Sequence, residues 1–297
     1  MYHVLYNPLS GNGQGAVSVE TIKKIIKEEE LKLINVSEVE DYASFFAGLA
    51  EEDSVVVAGG DGTLNYFIND VDGMEIKNKV YFYALGTGND FKNDVAPTEE
   101  GLIEINDYIK DLPIVEVKGM TRRFINGIGY GIDGYCCEVA DKLAKENKPI
   151  NYTGIAIKGL LFFYKPTNAT VTVDGETKEF KKVWLAPSMN GRFYGGGMNI
   201  APAQDRTAQP KTLSLVVFHG SGKLKTLMIF PSIFKGEHIK HEKQISIFTG
   251  KDITVKFDRP VALQIDGETV LDVTEYTVHA NVPAKSKAAP EAAPAEV

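Results

Sequence analysis

Apolar positions run along this chain in two rhythms. In the first third, short apolar runs alternate with segments of helical spacing. YHVLY, LKLINV, SVVVA and KVYFYAL read as strands. Three consecutive β-branched residues, Val55, Val56 and Val57, suit a strand buried on both faces. Between these strands, AVSVETIKKIIKEEE, a stretch from about Asp41 to Ala50 and a segment starting near Thr63 read as helices. In the last of these, Leu64, Phe67, Ile68 and Val71 recur at helical spacing. Strand and helix in alternation predict a mostly parallel, helix-covered sheet.

Near Lys118 the rhythm changes and strands dominate: RRFINGIGYG, NATVTVDG, ETKEFKKVWLAPS, TLSLVVFH, EKQISIFTG, DITVKFD, PVALQIDG and YTVHANV. Two helices interrupt them, from about Asp133 to Lys145 and from Thr153 to Tyr164. VDGE and IDGE are turn signals between strands. The expected fold is thus α/β plus β. Residues 1–118 should form an αβα parallel-sheet domain, and residues 119–282 a mainly antiparallel β-sandwich. The Ala/Pro-rich end, 283–297, reads as a disordered tail.

Composition narrows the function. The 297 residues carry a net charge of -8, with a pI near 5.3, which argues against a nucleic-acid partner. The two cysteines, Cys136 and Cys137, are adjacent, so neither a disulfide framework nor metal-ligand spacing is present. No apolar run is long enough to span a bilayer, and the start lacks a basic segment followed by an apolar core. The expectation is a cytoplasmic protein.

The chemistry gathers at strand ends. VVVAGGDGTLNYFIND reads as strand, glycine turn and helix, and such turns lie on the ligand edge of a parallel sheet. A helix start suits phosphate; a tight turn that merely needs glycine is the plainer alternative. NPLSG follows the first strand, GGDGT the third and GTGND the fourth, so the three loops converge. They offer hydroxyls (Ser10, Thr63, Thr87), amides (Asn7, Asn89) and carboxylates (Asp61, Asp90). A P-loop lysine is missing.

NPLSG, GGDGT and GTGND, in this order, resemble the nucleotide site of the diacylglycerol kinase catalytic-domain family, which includes bacterial diacylglycerol kinases and sphingosine kinases and is related to NAD kinases. The resemblance covers about residues 1–282. It implies ATP and Mg2+, with nucleotide contacts from Asn7, Ser10, Gly11, Gly59, Gly60, Asp61, Gly62, Thr63, Gly86, Thr87 and Asn89. It also implies a DGE catalytic site near the C-terminus, Asp266 with Glu268, the aspartate taking the proton of a lipid hydroxyl. Asp174-Gly175-Glu176 is the same tripeptide and serves as a control: position alone makes it the ordinary turn. RRFINGIGYGIDG matches a family segment whose acid is Asp133; it either joins Asp61 and Asp90 around the metal or caps a helix. Asn126 belongs to the same cleft.

Two departures from the family pattern stand out. Tyr66 takes the place of a glutamate in GGDGTLNY. In APAQDRTAQPKTLSLVV, Asp205 stands without its paired acids, with Lys211 and Ser214 where acid is expected, so no structural magnesium is expected there. YTGIAIKGLLFFYKP could line an acyl slot, touch a bilayer or simply pack on the sandwich. NGRFYGGGMNIAP is either a mobile loop at the cleft mouth or an awkward turn.

The leading expectation is a lipid kinase that phosphorylates a lipid hydroxyl, most plainly that of diacylglycerol. It would visit the membrane transiently as a peripheral protein, with a homodimer left open. The alternatives are an NAD kinase-like enzyme and a binding protein that has lost catalysis.

Overall fold

The structure is a computed structural model that describes residues 1–8, 20–86, 88–98 and 101–280. The first sheet holds β1 (Tyr2–Tyr6), β2 (Leu31–Asn35), β3 (Ser54–Gly59), β4 (Lys79–Ala84) and β5 (Ile103–Glu104), in the order β2-β1-β3-β4-β5. The first four strands are parallel, and β5 runs antiparallel to β4. Alternation along β3 divides two cores. Val55 and Val57 pack with Leu5, Leu64, Phe67 and Phe82 on one face; Val56 and Ala58 pack with Val4, Ile22, Ile26 and Tyr83 on the other. Successive strand side chains point to opposite faces, so an unbroken valine run needs cover on both sides.

Helices α1 (Tyr42–Ala47), α2 (Asp61–Asp70) and α3 (Asp90–Val95) belong to this half. Asp41 caps α1 by accepting from the Ser44 amide at 2.7 Å. The helix expected over AVSVETIKKIIKEEE is helical at 20–22 and ends in a separate 3-10 turn at Glu28–Glu30.

The second sheet has ten strands: β6 (Ile114–Val117), β7 (Met120–Arg123), β8 (Gly127–Tyr130), β9 (Thr167–Val173), β10 (Glu176–Val183), β11 (Ser188–Met189), β14 (Leu213–Phe218), β15 (Ile245–Gly250), β16 (Asp252–Ile265) and β17 (Glu268–His279). A small hairpin, β12 (Phe193–Tyr194) with β13 (Met198–Asn199), stands apart. All its pairings are antiparallel. The strand predicted to break at Pro260 runs through it: β16 pairs β9 at one end and β8 at the other, and its register with β17 slips between Lys256 and Leu263. Proline lacks a ladder donor, and the irregularity absorbs the loss. The core stacks Tyr130 on Phe257 with centroids 3.9 Å apart.

Helices α4 (Ile132–Lys145) and α5 (Tyr152–Lys158) match the two predicted stretches, the second continuing as a π-type turn over Gly159–Phe163. A further helix, α6 (Lys223–Ile229), leads into 3-10 turns through Lys240. The sequence reading did not include it, because Leu224 and Met228 face outward and blur the apolar stripe.

Candidate active site

The parallel strands deliver their loops to one edge. β1 ends at Tyr6 beside Ala58, and β3 ends at Gly59 beside Ala84. Asn7 follows β1 and is half-buried. Ser10, Gly11 and Thr87 lie outside the described residues. The GGDGT and GTGND loops touch backbone to backbone: a Cβ on Gly86 would sit 2.9 Å from the Gly60 Cα. A Cβ on Gly59 would run into the Thr63 side chain. Asn89, at the N-cap of α3, adopts a left-handed conformation with φ 49°, which asparagine tolerates better than most residues.

Asp61 begins α2, yet its carboxylate serves the neighbouring helix. One oxygen accepts from the Asp90 amide at 2.9 Å. The other accepts from the Phe91 amide at 3.0 Å and the Asn126 side-chain amide at 3.1 Å. Asp61 thereby caps α3, whose first N–H groups have no partner within the helix. It also ties the first sheet to the second through Asn126. Asp90 points to the glycine hairpin and accepts from the Gly196 amide at 2.9 Å and the Gly197 amide at 2.6 Å. Gly195, Gly196 and Gly197 all have positive φ (61°, 82° and 103°). NGRFYGGGMNIAP is therefore a turn closed upon Asp90, with glycines required by backbone angle. Burial and the adjacent Asp61 charge push the Asp90 carboxyl up to about 6, against the two glycine donors.

Asp266 arrives from the other sheet. With Gly267 it forms the two-residue turn from β16 to β17, at φ 46° and 99°, the positive-φ pair of a type I′ hairpin. One carboxylate oxygen accepts from the Asn126 and Gly127 amides, both at 2.9 Å. The other accepts from the Ile125 amide at 2.6 Å and the Asn65 side-chain amide at 2.8 Å. Burial pushes this carboxyl above the usual range, while those donors oppose the shift. Four donors fill about four acceptor sites, and only the one from Asn65 is a side chain. Glu268, two residues on, is half-buried, with Oε1 4.0 Å from where a Gly62 Cβ would be. Tyr66 lies beside it: burial and the Glu268 charge raise its phenol, and Arg122 sits over its ring at 5.9 Å.

One face of α2 docks the two halves. Asp61 meets Asn126. Asn65 bridges Asp266 and Arg122, accepting from the latter at 3.0 Å. Asn69 exchanges two hydrogen bonds with the Arg123 backbone, at 2.9 and 3.1 Å, and Asp72, just past the helix, pairs with the Arg123 guanidinium at 2.9 Å. Positions 61, 65, 69 and 72 follow helical spacing. Sequence reasoning took the apolar face of this helix for the core and read Asn65 and Asn69 only as polar candidates beside Tyr66, not as a docking face. The polar residues repeating opposite it were the available signal.

A second clasp was also missed. Arg206 is buried and donates to Asp94 at 2.5 Å, to the Ile125 carbonyl at 3.1 Å and to the Asn126 side-chain oxygen at 3.2 Å. With its oxygen held, the Asn126 amide turns its N–H2 to Asp61. Arg192 grips Asp94 from the other side at 2.6 Å. Around Asp205, the hydroxyl and amide of Thr207 take one carboxylate oxygen. Lys211 donates to the Asp111 carbonyl and Ser214 to Gln204. In this segment an arginine holds the fold together.

Asp133 is placed apart from Asp61 and Asp90. It sits in the first turn of α4, buried among Gly129, Gln264 and Tyr194. The charges felt at Asp90 come from Asp61 and Asp266. Among the described residues neither Asp133 oxygen has a partner in hydrogen-bond geometry, and burial, opposed by the nearby Tyr194 hydroxyl and Gly134 amide, pushes the carboxyl up to about 6. Among the described residues no group of three or more His, Cys, Asp or Glu side chains is arranged to hold an ion. The expected trio of Asp61, Asp90 and Asp133 is therefore not assembled. Asp61 and Asp90 fit an ion that brings its own waters and phosphate oxygens; they do not fit an all-protein cage.

Comparison with known proteins agrees with this geometry. A family model described as the diacylglycerol kinase catalytic domain matches residues 1–115, and one described as the YegS C-terminal NAD kinase beta sandwich-like domain matches residues 126–293. A Staphylococcus carnosus protein named diacylglycerol kinase is 28% identical over 282 residues, covering 89% of this chain and 87% of its own length. The Bacillus subtilis protein named "Putative lipid kinase YtlR" is 26% identical over 295 residues, covering 89% and 92%. The fold is similar to that of a Bacillus anthracis protein solved as "a putative diacylglycerol kinase", with a TM-score of 0.65, 20% identity and 95% of each chain covered. Two sheets meeting on Asp61, Asn126 and Asp266, and family models matched on both sides of that meeting, lead to one conclusion: the chain belongs to the diacylglycerol kinase catalytic-domain family of lipid kinases.

Proposed function

We propose that this protein transfers the γ-phosphoryl group of ATP to a lipid hydroxyl, with diacylglycerol as acceptor and phosphatidic acid as product. The observation that carries the reading is the convergence of Asp266, from the second sheet, with the phosphate-type loops of the first sheet on residues 125–127 and Asn65. Residues 1–118 would carry the nucleotide and 119–282 the lipid, with β6 lent to the second sheet. Gly60 and Gly86 leave room for phosphate at the contact of their loops, and Asn7, Gly59, Gly62, Thr63 and Asn89 surround it. Ser10, Gly11 and Thr87 complete the proposed loop set.

Asp61 would hold Mg2+ through water, with Asp90 behind it. The ion, when bound, neutralises charge on the transferring phosphoryl group. Asp266 takes the acceptor's proton: the lipid hydroxyl displaces the Asn65 amide from one carboxylate oxygen, donates to it, and attacks the γ-phosphorus as ADP leaves. The raised carboxyl of Asp266 makes it a better base than an exposed aspartate. Glu268, beside Gly62, would orient the acceptor.

The test is phosphate transfer from γ-labelled ATP, with Mg2+, to diacylglycerol in detergent, beside Asp266→Asn. A labelled lipid that vanishes in the variant supports the reading. Nucleotide binding without labelled lipid favours a binding protein, and label appearing on NAD instead would favour the NAD kinase reading.

A further inference from the structure

An apolar patch outside the cleft has no function in the reaction described so far. Phe162 and Phe163 are 70% and 66% exposed, and Leu224 and Met228 are 74% and 80% exposed. These residues stand together: the Lys223 ammonium donates to the Leu161 carbonyl at 2.7 Å, seating α6 against the turn that carries the two phenylalanines. Leu224 and Met228 are four apart and share one face of α6. Ile157 and Phe234, on the adjoining segments, are also exposed, at 41% and 47%. Water-facing aromatic and aliphatic side chains in one group mark an interaction surface rather than scattered exposure.

Charge identifies the occupant. Residues 151–165 and 219–236 contain five lysines (158, 165, 223, 225 and 235) and no aspartate or glutamate. All five are exposed. This stands against a chain whose net charge is -8. Exposed apolar side chains on lysine-rich, acid-free segments match a bilayer with anionic headgroups, where the rings enter the acyl boundary and the ammonium groups meet phosphates. The patch is also fixed rigidly to the cleft. Leu160 and Tyr164 are buried beneath it, and Gly159 packs closely on Ile132 and Tyr135 of α4. The start of α4 in turn presses on Ala262, four residues before Asp266.

We infer that Phe162, Phe163, Leu224 and Met228, with the lysines of the same segments, dock the protein on anionic membrane surfaces and present the cleft to lipid in the bilayer. The inference rests on the lipid-kinase reading for its purpose, and its test separates the two. Cosedimentation with phosphatidylcholine vesicles, with and without phosphatidylglycerol, is measured without nucleotide. The wild-type protein should bind the anionic vesicles and release them in high salt. Phe162→Ser/Phe163→Ser should weaken this binding about tenfold or more. All the substituted rings face water, so folding should hold, as checked by unchanged phosphorylation of a short-chain acceptor in detergent.

Equal vesicle binding by wild type and variant, or no binding by either, would overturn docking while leaving the kinase reading in place. A dimer in light scattering that falls apart in the variant would instead assign the patch to a second copy of this chain. Vesicle binding that is lost in the variant, with no phosphorylation of any lipid by either protein, would uphold docking and overturn the kinase reading.

Discussion

Asp174-Gly175-Glu176 and Asp266-Gly267-Glu268 are one tripeptide in one kind of turn. Both join two antiparallel strands across two residues. Both aspartates take positive φ, 47° and 46°, and both glycines follow at 89° and 99°. They part company in what lies opposite. The Asp174 carboxylate accepts from the Lys251 and Asp252 amides, each at 2.8 Å, at the exposed start of its own neighbouring strand. The Asp266 carboxylate reaches residues 125–127 and the helix that begins with Asp61. Turn chemistry is local, so it is the same twice. Burial, and with it the raised carboxyl of Asp266, comes from packing beneath residues 125–127 and Asn65 of α2. The same motif meets residues from both halves of the fold in one place and only its own sheet in the other.

The comparison breaks most sharply at Asp266. Asp266→Asn should cut phosphoryl transfer by about 10²–10⁴-fold, the usual worth of a general base, while Asp174→Asn leaves the rate unchanged; the labelled-lipid assay reads both. Equal losses in the two variants would mean that the turns do not differ in function.

Arg206 tests the packing that separates the turns. Arg206→Met leaves Asp94 to Arg192 alone and frees the Asn126 amide. It should cost about 1–3 kcal/mol in urea unfolding and lower kcat more than it raises KM for ATP, because Asn126 steers Asp61 and Asp266 together. A smaller step is Asn65→Ala. It strips Asp266 of its one side-chain donor and leaves the Arg122 contact unmade, for about 1–3 kcal/mol. With one fewer donor opposing burial, the Asp266 carboxyl rises further, so the acid limb of the pH-rate profile should move to higher pH.

The pH dependence of stability follows from Asp90 and Asp133, whose carboxyls are both pushed up to about 6. A carboxyl that binds its proton more tightly when folded adds stability below its unfolded value, and this is lost as pH rises through the folded one. Unfolding free energy from these two groups should therefore fall between about pH 4 and pH 6. Urea titrations at about pH 4 and about pH 7 should show a smaller fall in Asp133→Asn. The smallest effect belongs to the control turn. Asparagine tolerates positive φ, so Asp174→Asn should cost only about 0.5–1.5 kcal/mol.

Much of this molecule could be read from its residues. The valine run at 55–57, buried on both faces, was legible because only a helix-covered parallel strand accepts it. That β1, β3 and β4 end on one edge follows from strand direction alone. Asn126 was also legible as a member of the cleft. Other parts were not. Pro260 marked a strand end that the sheet bridged with a register slip. Asp133 carried the right residue type in a matching segment, yet the start of α4 turns it toward Tyr194, away from Asp61 and Asp90. Gly196 and Gly197 gave no hint that their amides close on Asp90 across about a hundred residues of chain.

The sequence by itself determined what is local: strands and helices through periodicity, turns through glycine and aspartate, and the edge on which three loops end. Tertiary structure decided everything that depends on partners far apart in the chain. It chose between two identical turns, made Asp61 the cap of another helix, and set Arg206 where its charge orients Asn126. The reason is physical: backbone preference acts over a few residues, whereas burial, charge and hydrogen-bond saturation are properties of the space in which distant segments meet.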